Sequence, residues 1–167
     1  MNSIFKRRSI RKFSEDSVSK EVMEKIIRAG MQAPSAMNTQ PWEFIVTNKK
    51  ADKDAIAALS QYAGCVKNAD YAIVVLSNHK KDSRDDTWWL QDLSAATENI
   101  LLQIAEESLG GVWLGMYPDE GRVSALSNYF NLDESLVPFS VIAVGHSEDE
   151  NKFIDRYDAS KVHWRER

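Results

Sequence analysis

Three arginines, Arg7, Arg8 and Arg11, flank the hydroxyl of Ser9 near the start of the chain, with no acid between Met1 and Ser14. Guanidinium forks match phosphate geometry better than the point charge of lysine does. A basic run by itself is ordinarily a solvated face. Here Ile10 and Phe13 interleave with the charges, so the segment can dock on a core. A second segment, residues 33–42, reads Ala-Pro-Ser-Ala-Met-Asn-Thr-Gln-Pro-Trp. It sets Ser35, Asn38 and Gln40 between Pro34 and Pro41. Alone it is a connection rich in turn formers. Its amides, however, offer donors and acceptors to the edge of a heterocycle. An anion clamp and a hydrogen-bonding loop together suit a flat cofactor that carries a phosphate.

Other chemistries find little support. His79, His146 and His163 are scattered, without metal-ligand spacing, so no metal site is expected. No G-x-S-x-G elbow occurs. Cys65 lies among small and apolar residues and reads as an inert filler. Trp42 reads as core, and the Trp88-Trp89 pair as core or interface. Gly115, after Val112-Trp113-Leu114, would let a ligand approach the backbone closely. With no nucleophile or catalytic base in view, the hard chemistry falls to a bound cofactor.

These residues need elements to hold them. Ser19 caps an expected helix over residues 20–29, with Val22, Met23, Ile26 and Ile27 on one face. Residues 43–47 read as a short strand and 53–60 as a helix. The run Ala-Ile-Val-Val-Leu-Ser at 72–77 reads as a buried central strand. The longest element is a helix over residues 87–109, about 35 Å long at ~1.5 Å per residue. Its apolar stripe is wide enough for the domain's central core or for a subunit interface. Gly110-Gly111 ends it, and residues 112–116 and 140–145 read as strands around a helix at 120–129. The tail from residue 151 to 167 is charged, yet carries Phe153, Tyr157, Val162 and Trp164, so it should pack on something. No G-x-G-x-x-G or P-loop follows any strand, which disfavours a dinucleotide fold. An α+β domain with a central sheet of mixed direction, flanked by helices, is expected.

The 167 residues suit one domain, and 43% hydrophobic content is enough for a core. A net charge of −4 argues against a general nucleic-acid binder. One cysteine excludes an internal disulfide and fits a reducing compartment. The start lacks the apolar run of a secretory signal, and no stretch approaches the ~20 residues of a membrane span. No membrane partner and a cytoplasmic location are expected.

The motifs R-R-S-I-R-K-F (7–13) and A-P-S-x-x-N-x-Q-P-W (33–42) resemble the signature of the nitroreductase family. W-W-L-Q-D-L-S-A-A-T-E-N-I-L-L (88–102), G-G-V-W-L-G (110–115), P-F-S-V-I-A-V-G-H (138–146) and D-R-Y-D-A-S-K-V-H-W (155–164) follow in the family's order. The resemblance covers nearly the whole chain, 1–167. It implies an intertwined homodimer with FMN at each of two interfacial sites and the tail reaching across the partner. NADH or NADPH would give the hydride, and nitroaromatics, quinones or related small molecules would accept electrons by a ping-pong mechanism. By motif, Arg7, Arg8, Ser9 and Arg156 would hold the phosphate and ribityl end. Arg11 would lie near the N1/O2 edge of the ring and stabilise reduced flavin. Pro34, Ser35 and Asn38 would come from the other subunit, with Gln40 supporting their loop. Backbone around Trp113, Leu114 and Gly115 would face N5. Many relatives have a lysine where this chain has Ile154, which shifts phosphate binding toward Arg7 and Arg8. The same fold also serves ene-reductases, reductive dehalogenases and non-catalytic flavin binders.

Overall fold

The computed structural model describes residues 2–80, 88–149 and 151–165. A short turn of helix, α1 (Ser3–Lys6), precedes α2 (Lys20–Met31), β1 (Trp42–Thr47), α3 (Lys50–Ala57) and β2 (Tyr71–Asn78). Then come α4 (Trp88–Glu106), β3 (Gly110–Gly115), α5 (Glu120–Phe130) and β4 (Leu136–Gly145). Ser19 caps α2 as expected, its Oγ accepting the Val22 N–H at 3.3 Å. Thr87, expected to open the long helix, lies outside the described residues.

The strands lie in the order β1-β2-β4-β3, and all three ladders are antiparallel. This corrects the expected mixed direction. The only parallel pairing among the described residues is a single bridge between Ser9 and Gly111. The reason is topological. Helix α4 returns the chain so that β3 runs parallel to β2, but β4 enters between them and pairs with both. Alternation of helices and strands therefore gave parallel strands that never touch.

Helices cover both faces of this sheet. Ile73 and Val75 of β2, with Ile142 and Val144 of β4, pack against α2 and α4 through Met23, Ile26, Leu93, Ala96 and Ile100. Ala72, Val74 and Leu76, with Val141 and Ala143, pack against α3 and α5 through Ile56 and Leu126. Successive side chains point to opposite faces, so a strand buried on both faces reads as one unbroken apolar run. Of the two roles open to α4, the structure assigns the core: Leu93, Ala96, Thr97 and Ile100 are fully buried.

Helix α4 ends at Glu106, short of the expected 109, and Ser108 breaks the chain direction at φ 59°. Gly110 and Gly111 belong to β3 rather than to the helix end. A Cβ on Gly110 would stand 2.6 Å from Ile10 Cγ2, so glycine is what lets the N-terminal segment lie against the strand. The Ile10 N–H donates to the Gly111 carbonyl at 3.0 Å. This docking fixes the arginine segment beside the sheet.

The tail touches the body in few places. Phe153 meets Phe5 edge-on at 5.9 Å, while Tyr157 and Trp164 are 69% and 75% exposed. Glu166 and Arg167, the end of the expected tail, lie outside the described residues. No helix among the described residues is long and apolar enough to cross a membrane.

Candidate functional site

Docking along β3 sorts the three arginines. Arg11 turns into a cleft of about 480 Å³ whose other walls are residues 60–65, residues 113–116 and Arg122. The Arg11 Nη1 reaches the Ser9 carbonyl at 3.4 Å. Arg7 goes the other way: its Nε lies 3.3 Å from Glu98 Oε1 on α4. Arg8 stands between them. Its Nη1 donates to the Arg7 carbonyl at 2.6 Å, while Nε and Nη2 are buried and have no hydrogen-bond partner among the described residues. Burial, and then the charges of Arg156 and Arg7, push its pKa below the ordinary guanidinium value. Arginine nonetheless stays protonated in proteins. Buried donors on a guanidinium beside two like charges are costly unless an anion meets them.

Asn151 fastens this corner. Its Oδ1 accepts the Arg8 N–H at 2.9 Å, and its Nδ2 donates to the Leu109 carbonyl at 3.3 Å. One amide thus ties the arginine segment, the entry to β3 and the root of the tail that carries Arg156.

Strand β3 is an edge strand, and the ladder alternates its backbone groups between its two sides. Gly111 faces outward to Ile10, so Trp113 and Gly115 face outward too, while Leu114 pairs with Val141. The expectation that all three residues offer backbone to a ligand therefore narrows to Trp113 and Gly115. Leu114 contributes side-chain wall. The Trp113 ring packs on Phe139 with centroids 5.7 Å apart, which steadies this wall. Gly64 and Gly115 both border the cleft, and a Cβ on either would meet nothing within 4 Å. Neither has a positive φ. Their want of side chains leaves the cleft open, and the protein's own packing does not require it.

The loop at 33–41 lies elsewhere; Pro34, Ser35, Asn38 and Gln40 do not line the cleft. The Ser35 Oγ accepts the Gln40 N–H at 2.9 Å, and Gln40 Nε2 donates to Asn38 Oδ1 at 3.2 Å. The Ala36 N–H donates to the buried Asp92 Oδ1 at 3.0 Å, which pins the loop to α4. Met37, Asn38 and Gln40 hold φ of 52°, 58° and 48°. Three left-handed residues that are not glycine cost about 1–3 kcal/mol each and persist where a surface must keep its shape.

Cys65 lies in the cleft wall and also packs against the core. Burial pushes its thiol pKa up, and the Arg11 charge offsets only part of that. A protonated thiol is a poor nucleophile, which agrees with the inert reading. Among the described residues no three His, Cys, Asp or Glu side chains converge as a metal site would require. Trp42 and Trp89 are core, as expected, and Trp88 is half exposed.

Sequence reasoning missed Glu98, Asn151, Gly64 and Arg122. No spacing links them to the arginine segment, and only tertiary packing brings them there.

The family model described as the nitroreductase family matches residues 4–64 and 62–146. A relative from Archaeoglobus fulgidus, provisionally named NADH dehydrogenase/NAD(P)H nitroreductase, is 40% identical over 98% of this chain and 95% of its own. The crystal structure of a provisional NADH oxidase from Clostridium acetobutylicum superposes with a TM-score of 0.94 at 47% identity, covering 99% of this chain and 100% of that one. An FMN-dependent nitroreductase from Clostridium difficile gives a TM-score of 0.87 at 28% identity, covering 98% of each chain.

Proposed function

This chain belongs to the nitroreductase family, and on that premise we propose that it is an FMN-dependent oxidoreductase. In this reading it takes a hydride from NADH or NADPH and reduces nitroaromatic, quinone or related acceptors in turn. The printed names of its relatives, NAD(P)H nitroreductase and FMN-dependent nitroreductase, support that chemistry. Bound FMN supplies the hydride chemistry, accepting from the nucleotide and passing electrons on.

The observation that carries the reading is the Arg8 guanidinium, with two buried donors that have no partner among the described residues, beside Arg7 and Arg156. A terminal phosphate satisfies that corner. Arg8 and Arg156 bind it directly, Ser9 adds its hydroxyl at the ribityl end, and Arg7 contributes charge from its place on Glu98. Arg11 stands in the adjoining cleft, where a cation favours a more negative, reduced cofactor. Trp113 and Gly115 offer outward N–H groups to the ring edge, and Leu114 walls it. The cleft admits a planar group because Gly64 and Gly115 leave its sides open. In a homodimer, Pro34, Ser35, Asn38 and Gln40 of one subunit would complete the site of the other. Their rigid loop sits away from its own cleft, which supports that assignment.

The direct experiment is an absorbance spectrum of the purified protein, followed by heat release and mass identification of the chromophore. FMN is expected, bleached anaerobically by NADH or NADPH and recoloured by menadione. FAD, or no flavin after reconstitution, would overturn the reading.

A further inference from the structure

The cleft holds a second guanidinium that the phosphate corner does not use. Arg122, in the first turn of α5, lines the cleft together with Arg11. Its Nη1 donates to the Gly115 carbonyl at 3.1 Å, and its Nε lies 3.2 Å from Asp119 Oδ2. Asp119 is itself fixed, because its Oδ1 caps α5 by accepting the Arg122 N–H at 3.1 Å. The guanidinium is therefore held in one place, and Nη2 takes part in neither contact. Among the described residues two arginines line this cleft and no carboxylate does; Asp119 and Glu120 are outside its lining. Gly115, to which Arg122 is tethered, is also where the cofactor's reacting edge is proposed to lie. Tyr62, 70% exposed, and the open side of Gly64 leave room there for another ring.

We infer that Arg122 is a specificity-determining residue that receives the anionic group, carboxylate or phosphate, of the molecule that meets the cofactor in this cleft. The inference rests on the flavin oxidoreductase reading. A neutral quinone or nitroaromatic gains only a weaker hydrogen bond from a guanidinium at the rim. An acceptor with a carboxylate, or a nucleotide donor with its phosphates, gains a charge-assisted hydrogen bond from a donor already in position. If Arg122 only braced β3 through Gly115, its loss would weaken charged and uncharged ligands alike.

The test uses flavin-loaded wild type, Arg122→Gln and Arg122→Lys. Calorimetric titrations of the oxidised protein compare benzoate with benzamide, and NAD⁺ with nicotinamide riboside, which lacks the phosphates. The glutamine variant should bind benzoate or NAD⁺ about tenfold or more weakly. Benzamide and nicotinamide riboside should be unchanged, and lysine should restore part of the loss. A loss confined to benzoate assigns the acceptor's carboxylate, and one confined to NAD⁺ assigns the donor's phosphates. Equal losses for charged and uncharged ligands, no loss for either anion, or a wild type that binds neither anion would overturn the inference. Parallel turnover with NADH and with N-benzyl-dihydronicotinamide separates the two readings. A wild type without flavin or donor oxidation overturns the oxidoreductase reading and this inference with it. A wild type that turns over, but whose anion binding ignores Arg122, overturns this inference alone.

Discussion

Of the three arginines near the N-terminus, Arg8 has the most to gain from an anion. Arg7 is already paired with Glu98, and Arg11 stands in the cleft. Arg8→Ala and Arg156→Ala should each weaken FMN retention about ten- to hundredfold, read by quenching of flavin fluorescence. Arg7→Ala should cost less, because much of what it loses is a partly exposed ion pair. Equal losses at positions 7 and 8 would mean that Arg7 leaves Glu98 when phosphate binds. Arg11 is tested by potential rather than affinity. A cation beside the ring favours the reduced form over the oxidised one, and only that difference counts. A tenfold loss of the difference in Arg11→Leu lowers the two-electron potential by about 30 mV. An anaerobic redox titration in which the potential does not move would return Arg11 to the phosphate corner. The arginine segment and the stretch holding Trp113 and Gly115 could be picked out as candidates because each motif is local. Glu98, Asn151, Gly64 and Arg122 were not, since each carries an ordinary surface identity until packing gives it a neighbour.

At the scale of elements, the site depends on how closely residues 7–11 lie against β3. Gly110→Val would place a branched side chain where Ile10 Cγ2 stands 2.6 Å from the new Cβ and Ser147 Cβ stands 3.3 Å away. The segment should undock, read as faster proteolysis near residue 10 and as lost FMN, while the far-UV spectrum stays close to wild type. Wild-type proteolysis and retention in that variant would show that the bridge at Gly111 is dispensable. Helix α2 offers a control away from the site: Ser19→Ala should cost about 1 kcal/mol in chemical denaturation and leave flavin affinity alone. Most elements could be read from the chain. The run at 72–77 is a central strand because both faces of β2 are covered, and the stripe on α4 is wide because the helix packs on α2 as well as on the sheet. Strand direction could not be read. It turns on β4 pairing with Tyr71–Asn78, a partner far back in the chain, and nothing local to either strand records that.

For the whole molecule, the apolar groups outside the core matter most. Ile4, Phe5, Phe153, Ile154, Tyr157 and Trp164 are each 47% exposed or more, on the N-terminal turn and the tail. We expect a second copy of the chain to cover them, and obligate interfaces of this kind commonly exceed ~2,000 Å². Sedimentation at micromolar concentration should give a dimer, and removing residues 152–167 should give monomers that no longer hold FMN. A full-length chain that sediments as a stable monomer would contradict the proposed assembly. The place of β4 also sets an order of assembly. Strand β3 finds a neighbour in the sheet only when β4 arrives, and of the sheet's four described strands β4 is the last in chain order. The arginines, made before any strand of the sheet, must therefore wait for all four strands before they have a surface to settle on. Contacts between such distant stretches of chain slow folding. A nascent chain halted before Leu136 would carry its N-terminal arginines untethered, so capture of the proposed cofactor during translation has to be a late event.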